Sequence, residues 1–158
     1  MNPKNIKIGC ASAFWGDTSS AARQLVEKGD IDYLVSDFLA EMTMSILAGS
    51  KKNNPKMGYA TDFIDQLSPL LETIKSKNIK VISNAGGVNL NSCKEALEEI
   101  AHSLGIALNI AIIAGDDLMS KKNELMGMDI QEMETDQELP DNLLSANAYL
   151  GAIPINEA

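Results

Sequence analysis

Residues 79–89 read IKVISNAGGVN, and this stretch carries the clearest sign of the fold class. Its first five residues are rich in β-branched types, which is typical of a buried strand. The asparagine and glycines after them predict a turn. A helix is predicted next, because Ser92 with Glu95 three residues later forms a capping box in front of an apolar helical stripe. A strand that turns directly into a helix indicates an α/β unit.

The same alternation recurs on both sides of this stretch. A helix over residues 39–47 is predicted to end at Gly49, and an apolar stripe from Ala60 to Ile74 predicts a helix that Pro69 interrupts. Strand–helix–strand order implies parallel pairing through right-handed crossovers. We therefore expect an α/β fold of Rossmann-like type, a mostly parallel sheet with helices on both faces. The other predicted strands are residues 6–11, 31–35, 107–114 and 142–149.

Length and composition exclude several classes of protein. The chain has 158 residues, 22 acidic and 13 basic, and a formal net charge of −9. One α/β domain over residues 1–158 is expected from this length. The acidic balance argues against a nucleic-acid partner, and no apolar run reaches the ~18 residues of a membrane span. Two cysteines and one histidine offer no zinc pattern and fit a reduced, cytoplasmic protein.

Residues 124–141 form an acidic segment, which holds seven acidic residues and no Lys or Arg. A solvated connection is the main interpretation, since such runs usually stay in water. A metal site or a basic partner is the alternative. The sequence assigns neither a metal nor a cofactor.

The candidate site lies beyond the carboxyl ends of the strands, where parallel α/β sheets bind their ligands. Asp37 and Glu41 follow the second predicted strand and are the candidate catalytic residues. If a helix begins near Asp37, the two carboxylates share one helix face and supply acid–base or cation-binding chemistry; otherwise Asp37 only caps that helix. The candidate ligand-binding residues at the other strand ends are Trp15, Gly16, Asp17, Asn84, Gly86, Gly87 and Asp116.

Each ligand-binding candidate also has a structural interpretation. Gly86 and Gly87 either form a turn or let backbone N–H groups approach an anion at the following helix N-terminus. Trp15 either packs in the core or stacks on a ligand, and Asp116 either caps a helix or binds. The functional interpretation predicts that the strand-end side chains Asp17, Asp37, Asn84 and Asp116 converge on one edge of the sheet.

Five segments of the chain resemble the acyclic terpene utilisation AtuA-like family. They are FWGD (14–17), DYLVSDFLAEMTMSILA (32–48), GYATDF (58–63), VISNAGGVN (81–89) and SANAYLGAIPINEA (145–158). The resemblance covers the N-terminal portion of the family domain. It implies a link to bacterial catabolism of acyclic terpenes such as citronellol and geraniol, alongside acyl-CoA enzymes. It adds Asn147 to the ligand-binding candidates.

Two main functions follow from the residues and the resemblance, and a metal-dependent hydrolase built on the carboxylates alone is a third. The leading one is an AtuA-like protein that binds a carboxylate or acyl-CoA at the carboxyl edge of its sheet, with the NAGG turn holding the anionic group. The alternative is a non-catalytic subunit or binding module whose partner chain supplies the rest of the domain. Whether the chain is an enzyme stays open between them. Self-association or a partner subunit is expected, with residues 143–150 as an exposed edge strand.

Overall fold

The structure, a computed structural model, describes residues 5–158. Three strands form one parallel sheet in the order β1–β2–β3. They are β1 (Ile8–Ser12), β2 (Tyr33–Ser36) and β3 (Lys80–Ser83). The α/β fold class is confirmed, and so are the first three predicted strands, each of which starts one or two residues later than predicted.

Five helices connect and follow these strands. They are α1 (Ala21–Lys28), α2 (Glu41–Asn53), α3 (Thr61–Leu67), α4 (Leu71–Ser76) and α5 (Leu90–Ser103). A short 3₁₀ turn, Ser68–Leu70, separates α3 from α4, which confirms the interruption at Pro69. The predicted end of α2 at Gly49 is wrong, since the helix continues to Asn53. A glycine inside a helix costs only about 1 kcal/mol relative to alanine, so it does not by itself end a helix.

The N-terminus of α5 also differs from the prediction. Asn89 is the capping residue, and its side chain accepts the backbone N–H of Ser92. Ser92 therefore lies inside the first turn, and the capping box with Glu95 is not formed. Asparagine caps a helix as well as serine does, so the cap fell on the earlier of two suitable residues.

One face of the sheet carries the core. Leu34 and Ala11 point into it together with Val26 of α1, and α3, α4 and α5 contribute Phe63, Ile74 and Leu97 among others. We call the opposite face the open sheet face. Its side chains are exposed or half-buried and lie outside the core cluster. The expected helices on both faces are thus not seen, because right-handed crossovers between strands in sequential order all lie on one side. The open sheet face consists of Ile8, Cys10, Tyr33, Val35, Lys80 and Ile82.

Residues 107–114, predicted as the fourth strand, are not a strand. Leu108 and Ile110 pack against the core cluster through their side chains. The carbonyl of Ala107 accepts a hydrogen bond from the Lys75 ammonium (3.1 Å) rather than from a neighbouring strand. An apolar run predicts that a segment is buried. It does not predict that a neighbouring strand is available to form backbone hydrogen bonds with it.

The chain divides into two compact units, Met1–Ile110, of which residues 1–4 lie outside the described part, and Ala111–Ala158. Within the second unit, α6 (Lys122–Met126) and α7 (Ile153–Glu157) are short. The predicted fifth strand at 142–149 is wrong, since only an isolated antiparallel bridge joins Asn147 to Asp117. Residues 143–150 therefore do not form the expected exposed edge strand. In the described part of the chain, no helix has the length and apolar character that crossing a bilayer requires.

Candidate functional site

Asp37 and Asn84 lie side by side at the carboxyl edge of the sheet. They directly follow Ser36 and Ser83, which are paired in the β2–β3 register. The Asn84 amide nitrogen donates to Asp37 Oδ1 at 2.7 Å, and Asn84 Oδ1 accepts the backbone N–H of Phe38 at 2.8 Å. The two hydrogen bonds fix the amide orientation and hold the Asp37 carboxylate against the end of β3.

Hydrogen bonds that involve three serines stabilise this edge of the sheet. Ser12 Oγ donates to the carbonyl of Asp37 at 3.1 Å, while the Asp37 N–H donates back to the Ser12 carbonyl at 3.1 Å. Ser83 Oγ donates to the Ser36 carbonyl at 2.8 Å. Ser12 and Ser36 are buried, and among the described residues no buried side-chain nitrogen or oxygen lacks a hydrogen-bond partner. The backbone that carries Asp37 and Asn84 is therefore tied to all three strands.

The Asp37 carboxylate has one occupied and one open oxygen. Oδ1 accepts from Asn84 and from the backbone N–H of Leu39 at 3.2 Å. Oδ2 has no hydrogen-bond partner among the described residues. Asp37 and Asn84 are both exposed. A carboxylate held by one oxygen, with the other facing solvent, can accept a proton or bind a donor group on a ligand.

Glu41 does not share a helix face with Asp37. It is the first residue of α2, and the capping residue before it, Ala40, has extended backbone angles. Both hypotheses for Asp37 as part of this helix, the i,i+4 pair and the N-cap, are therefore wrong in their geometry. The Asp37 side chain instead accepts a hydrogen bond from the N–H of Leu39, two residues later in the chain. This hydrogen bond forms a local turn, and the helix begins only after it.

Gly86 and Gly87 form a tight turn against their own chain. Gly87 has a φ of +53°, and an added Cβ would lie 2.5 Å from Leu47 Cδ1 and 2.7 Å from the Gly58 carbonyl oxygen. The N–H groups of Gly87, Val88 and Asn89 donate to the carbonyls of Asn84, Gly58 and Gly86. These contacts account for the glycines as turn residues, while their role in ligand binding stays a prediction.

Lys51 is a residue at this turn that sequence reasoning missed. Its ammonium donates to the Val88 carbonyl at 2.5 Å, so the last turn of α2 places a positive charge beside the NAGG turn. Because the helix was expected to end at Gly49, Lys51 fell in a predicted loop. The signal that could have found it is Lys51-Lys52 at the end of a helix, where cations are favoured.

The loop after β1 holds three further candidates. Trp15 is half-buried and packs against the core cluster. Gly16 has a φ of +87°, and an added Cβ there would meet no atom within 4 Å. Asp17 Oδ2 accepts the backbone N–H of Ala13 at 3.0 Å and closes the loop. Their predicted contact with a ligand remains a prediction.

Asp116 and Asn147 are brought together within the unit Ala111–Ala158. The Asn147 amide donates to Asp116 Oδ2 at 2.9 Å. The backbone reinforces the pair, since Ala148 N–H donates to the Asp116 carbonyl at 2.8 Å. The segment before Asp116 is not a strand, so the reason for expecting Asp116 at the sheet edge no longer holds. Asp116 and Asn147 stay predicted ligand residues.

A comparison with protein families identifies the chain. Residues 6–158 match the family described as acyclic terpene utilisation family protein AtuA. The chain belongs to the AtuA family. This membership confirms the resemblance and links the AtuA-family chain to acyclic terpene utilisation. No curated protein and no solved structure matches the chain.

A cavity of about 520 Å³ lies at the other end of α5 from the Asp37–Asn84 pair. This depression of the AtuA-family chain lies about 15 Å along the helix from the start of α5. It is an open groove that combines apolar side chains with two glutamates, and it is separate from the Asp37–Asn84 pair. Among the described residues, no group of three or more His, Cys, Asp or Glu side chains could hold a metal ion. The groove is lined by Glu98, Glu99, Ala101, His102, Ile106 and Leu108.

Proposed function

We propose that this AtuA-family chain binds a carboxylate or acyl-CoA intermediate of acyclic terpene breakdown at the carboxyl edge of its sheet. Asp37 is the general base of the site. The observation that supports this most is the Asp37–Asn84 pair, in which the carboxylate is held through Oδ1 and leaves Oδ2 open. The position is the one where parallel α/β sheets bind ligands.

The chemistry that suits such a base is proton removal next to a carbonyl. Asp37 Oδ2 takes a proton from the carbon adjacent to the thioester, and the electron pair moves onto the carbonyl oxygen as an enolate. Asn84 is a positioning residue, since it acts through Asp37 Oδ1 and fixes the direction of the open oxygen. Glu41, at the first position of α2, is the second acidic group of the proposed site.

The anionic part of the ligand is held by Lys51 in this proposal. The N–H groups of Gly87 and Val88 already donate to backbone carbonyls, so they offer no open donor to an anion. The Lys51 ammonium has three hydrogens and uses one on Val88, which leaves donors for a phosphate or carboxylate. The NAGG turn then positions Lys51 instead of binding the anion through its backbone.

Binding is tested by calorimetry with citronellyl-CoA and with free citronellate. Lys51→Gln should weaken binding of the CoA thioester about tenfold, because a charge-assisted hydrogen bond is lost. Lys52→Gln is the matched control, since the neighbouring lysine is exposed on the same helix. Equal affinity of both variants and the unaltered chain would contradict the role of Lys51.

Proton removal is tested by NMR, through exchange of the protons next to the thioester carbonyl with deuterium oxide. Asp37→Asn should abolish this exchange and keep the fold, because an asparagine oxygen still accepts from the Asn84 amide. Exchange that is unchanged in this variant would contradict Asp37 as the base.

A binding module that requires a partner chain is the second candidate function. Exposure of both Asp37 and Asn84 favours it, since catalytic carboxylates usually work in sites from which water is excluded. Tight citronellyl-CoA binding with no deuterium exchange would support this function over the first.

A further inference from the structure

The open sheet face is mostly apolar, and its β1 side chains, Ile8 and Cys10, are exposed, while Tyr33, Val35 and Ile82 are half-buried. In register, Cys10 lies opposite Val35, which lies opposite Ile82, and these three form one row across the sheet. Cys10 is the exposed member of this row, and Ile8, which is in the row with Tyr33 and Lys80, is 66% exposed. Parallel sheets are normally covered on both faces. A surface of this kind gains free energy when another element covers it.

Helix α2 carries a second uncovered apolar surface, which we call the α2 stripe: Met42, Ser45 and Ile46. Met42 is 77% exposed and Ile46, one turn later, is 52% exposed. The only buried side chain of the helix is Leu47, on the side that contacts the Gly87 turn. The helix is therefore anchored through one side and presents an apolar stripe on another.

We propose that the α2 stripe of one copy of this chain packs on the open sheet face of a second copy. The strands of this face have five, four and four residues, so the face is about 14 Å wide and about 13 to 16 Å long. Helix α2 has 13 residues, which makes it about 20 Å long and 10 Å across, so it covers that face in the manner of a crossover helix.

Charge favours this pairing over the contact of two sheet faces. Lys80 is the charged side chain of the open sheet face, where its ammonium lies 5.9 Å from the centroid of the Tyr33 ring. A symmetric contact of two open sheet faces would bring Lys80 of both copies into one interface, where like charges repel. The α2 stripe instead has Glu41 beside it, which is exposed and can approach Lys80 of the other copy.

The proposed contact joins two different surfaces. A single contact leaves one copy with a free α2 stripe and the other with a free sheet face, so association closes as a reciprocal dimer with two such contacts, closes as a ring, or continues. Unlike a contact of two sheet faces, it requires both surfaces, one from each copy.

Two variants that each remove one surface test the proposal by sedimentation velocity. Ile8→Asp disables the open sheet face, and Ile46→Asp disables the α2 stripe. Both side chains are exposed, so both variants should fold, as circular dichroism will verify. The unaltered chain should self-associate at micromolar concentrations, each variant alone should be a monomer, and the mixture should form a one-to-one heterodimer.

The mixture gives a dimer because one variant retains the α2 stripe and the other retains the open sheet face.

Leu104→Asp is the control, since Leu104 is an exposed apolar residue outside both surfaces. This variant should associate like the unaltered chain. Association should also protect the exposed Cys10 thiol from a maleimide reagent. The proposal is overturned if the unaltered chain is a monomer with a freely reactive Cys10, or if either single variant still self-associates.

Discussion

Asn84 connects the candidate base to the hydrophobic core. Its amide donates to Asp37 Oδ1 at 2.7 Å while its oxygen accepts the N–H of Phe38 at 2.8 Å. Phe38 is 1% exposed, and its ring meets Phe63 edge-to-face with centroids 5.8 Å apart. In the loop between β2 and α2, Asp37 is thus exposed to solvent and Phe38, the next residue, is buried in the core. Asn84 forms hydrogen bonds with both residues and holds them in these positions.

Asn84→Ala should therefore lower the free energy of unfolding by about 1 kcal/mol, because the Phe38 N–H loses its partner. Asp37→Asn should change it by much less, since the asparagine oxygen still accepts from Asn84. Urea unfolding followed by tryptophan fluorescence measures both. Equal midpoints for Asn84→Ala and the unaltered chain would show that Asn84 does not stabilise this boundary.

Gly87→Ala should be the most destabilising glycine substitution at the candidate site. The positive φ costs the alanine about 1 kcal/mol, and the clash with the Gly58 carbonyl brings the total to about 2 kcal/mol or more. Gly49→Ala is the matched control in the interior of α2, where an added Cβ meets nothing within 4 Å. It should raise stability by up to about 1 kcal/mol. Thermal unfolding of the two variants should shift in opposite directions.

The parts of the fold that sequence predicted are those in which one local signal was sufficient. Three short, largely apolar runs became β1, β2 and β3, and Pro69 produced the predicted interruption between two helices. Residues 107–114 had an equally apolar run but form no strand. A strand requires a neighbour with free backbone groups, and that information lies in the three-dimensional arrangement and not in the run itself.

In the candidate site too, some features could be predicted from local sequence and others depend on the three-dimensional arrangement. Asp37 and Asn84 were predicted to meet because each follows a strand, and the β2–β3 register brings them into contact. The pairing of Asp37 with Glu41 depended on where the helix begins, which the Leu39 turn decides. Lys51 was missed because its contact with Val88 joins positions 37 residues apart, and the Lys51-Lys52 pair indicates a helix end but not that contact.

The two cysteines should differ strongly in reactivity. Burial raises the pKa of the Cys93 thiol to about 11, whereas Cys10 is exposed. In a Cys10→Ser variant the remaining thiol should stay unreactive toward a disulfide reagent up to about pH 10 and react at once in denaturant. Fast reaction of this variant at neutral pH would show that α5 opens and exposes Cys93.

The raised pKa of Cys93 also predicts a stability change at high pH. The unfolded thiol ionises near its ordinary value while the folded thiol stays protonated, so the unfolded state loses its proton first. Its contribution to stability is full below pH 9 and is lost as the pH rises toward 11. Cys93→Ala should flatten the decline in the unfolding midpoint between these values, and an unchanged slope would contradict the assignment.

Asn89 links the start of α5 to the loop before α3. Its amide nitrogen donates to the carbonyls of Pro55 and Met57 at 2.9 and 2.7 Å, while its oxygen caps the helix at Ser92. Asn89→Asp keeps the cap and loses both donors, and it places a carboxylate against two carbonyl oxygens. Aspartate and asparagine are equal as helix caps, so the cap alone predicts no loss of stability. We expect a loss of more than about 1 kcal/mol, close to that of Asn89→Ala.

Asn91→Asp is the control for the added charge, because Asn91 is an exposed residue in the first turn of the same helix. A negative charge there interacts favourably with the helix dipole, so this variant should be neutral or slightly stabilised. Urea unfolding gives the stabilities, and hydrogen exchange at Met57 and Gly58 reports whether the loop is released. If Asn89→Asp is as stable as the unaltered chain and its loop remains protected, the cap alone accounts for Asn89, and the two loop hydrogen bonds contribute nothing measurable.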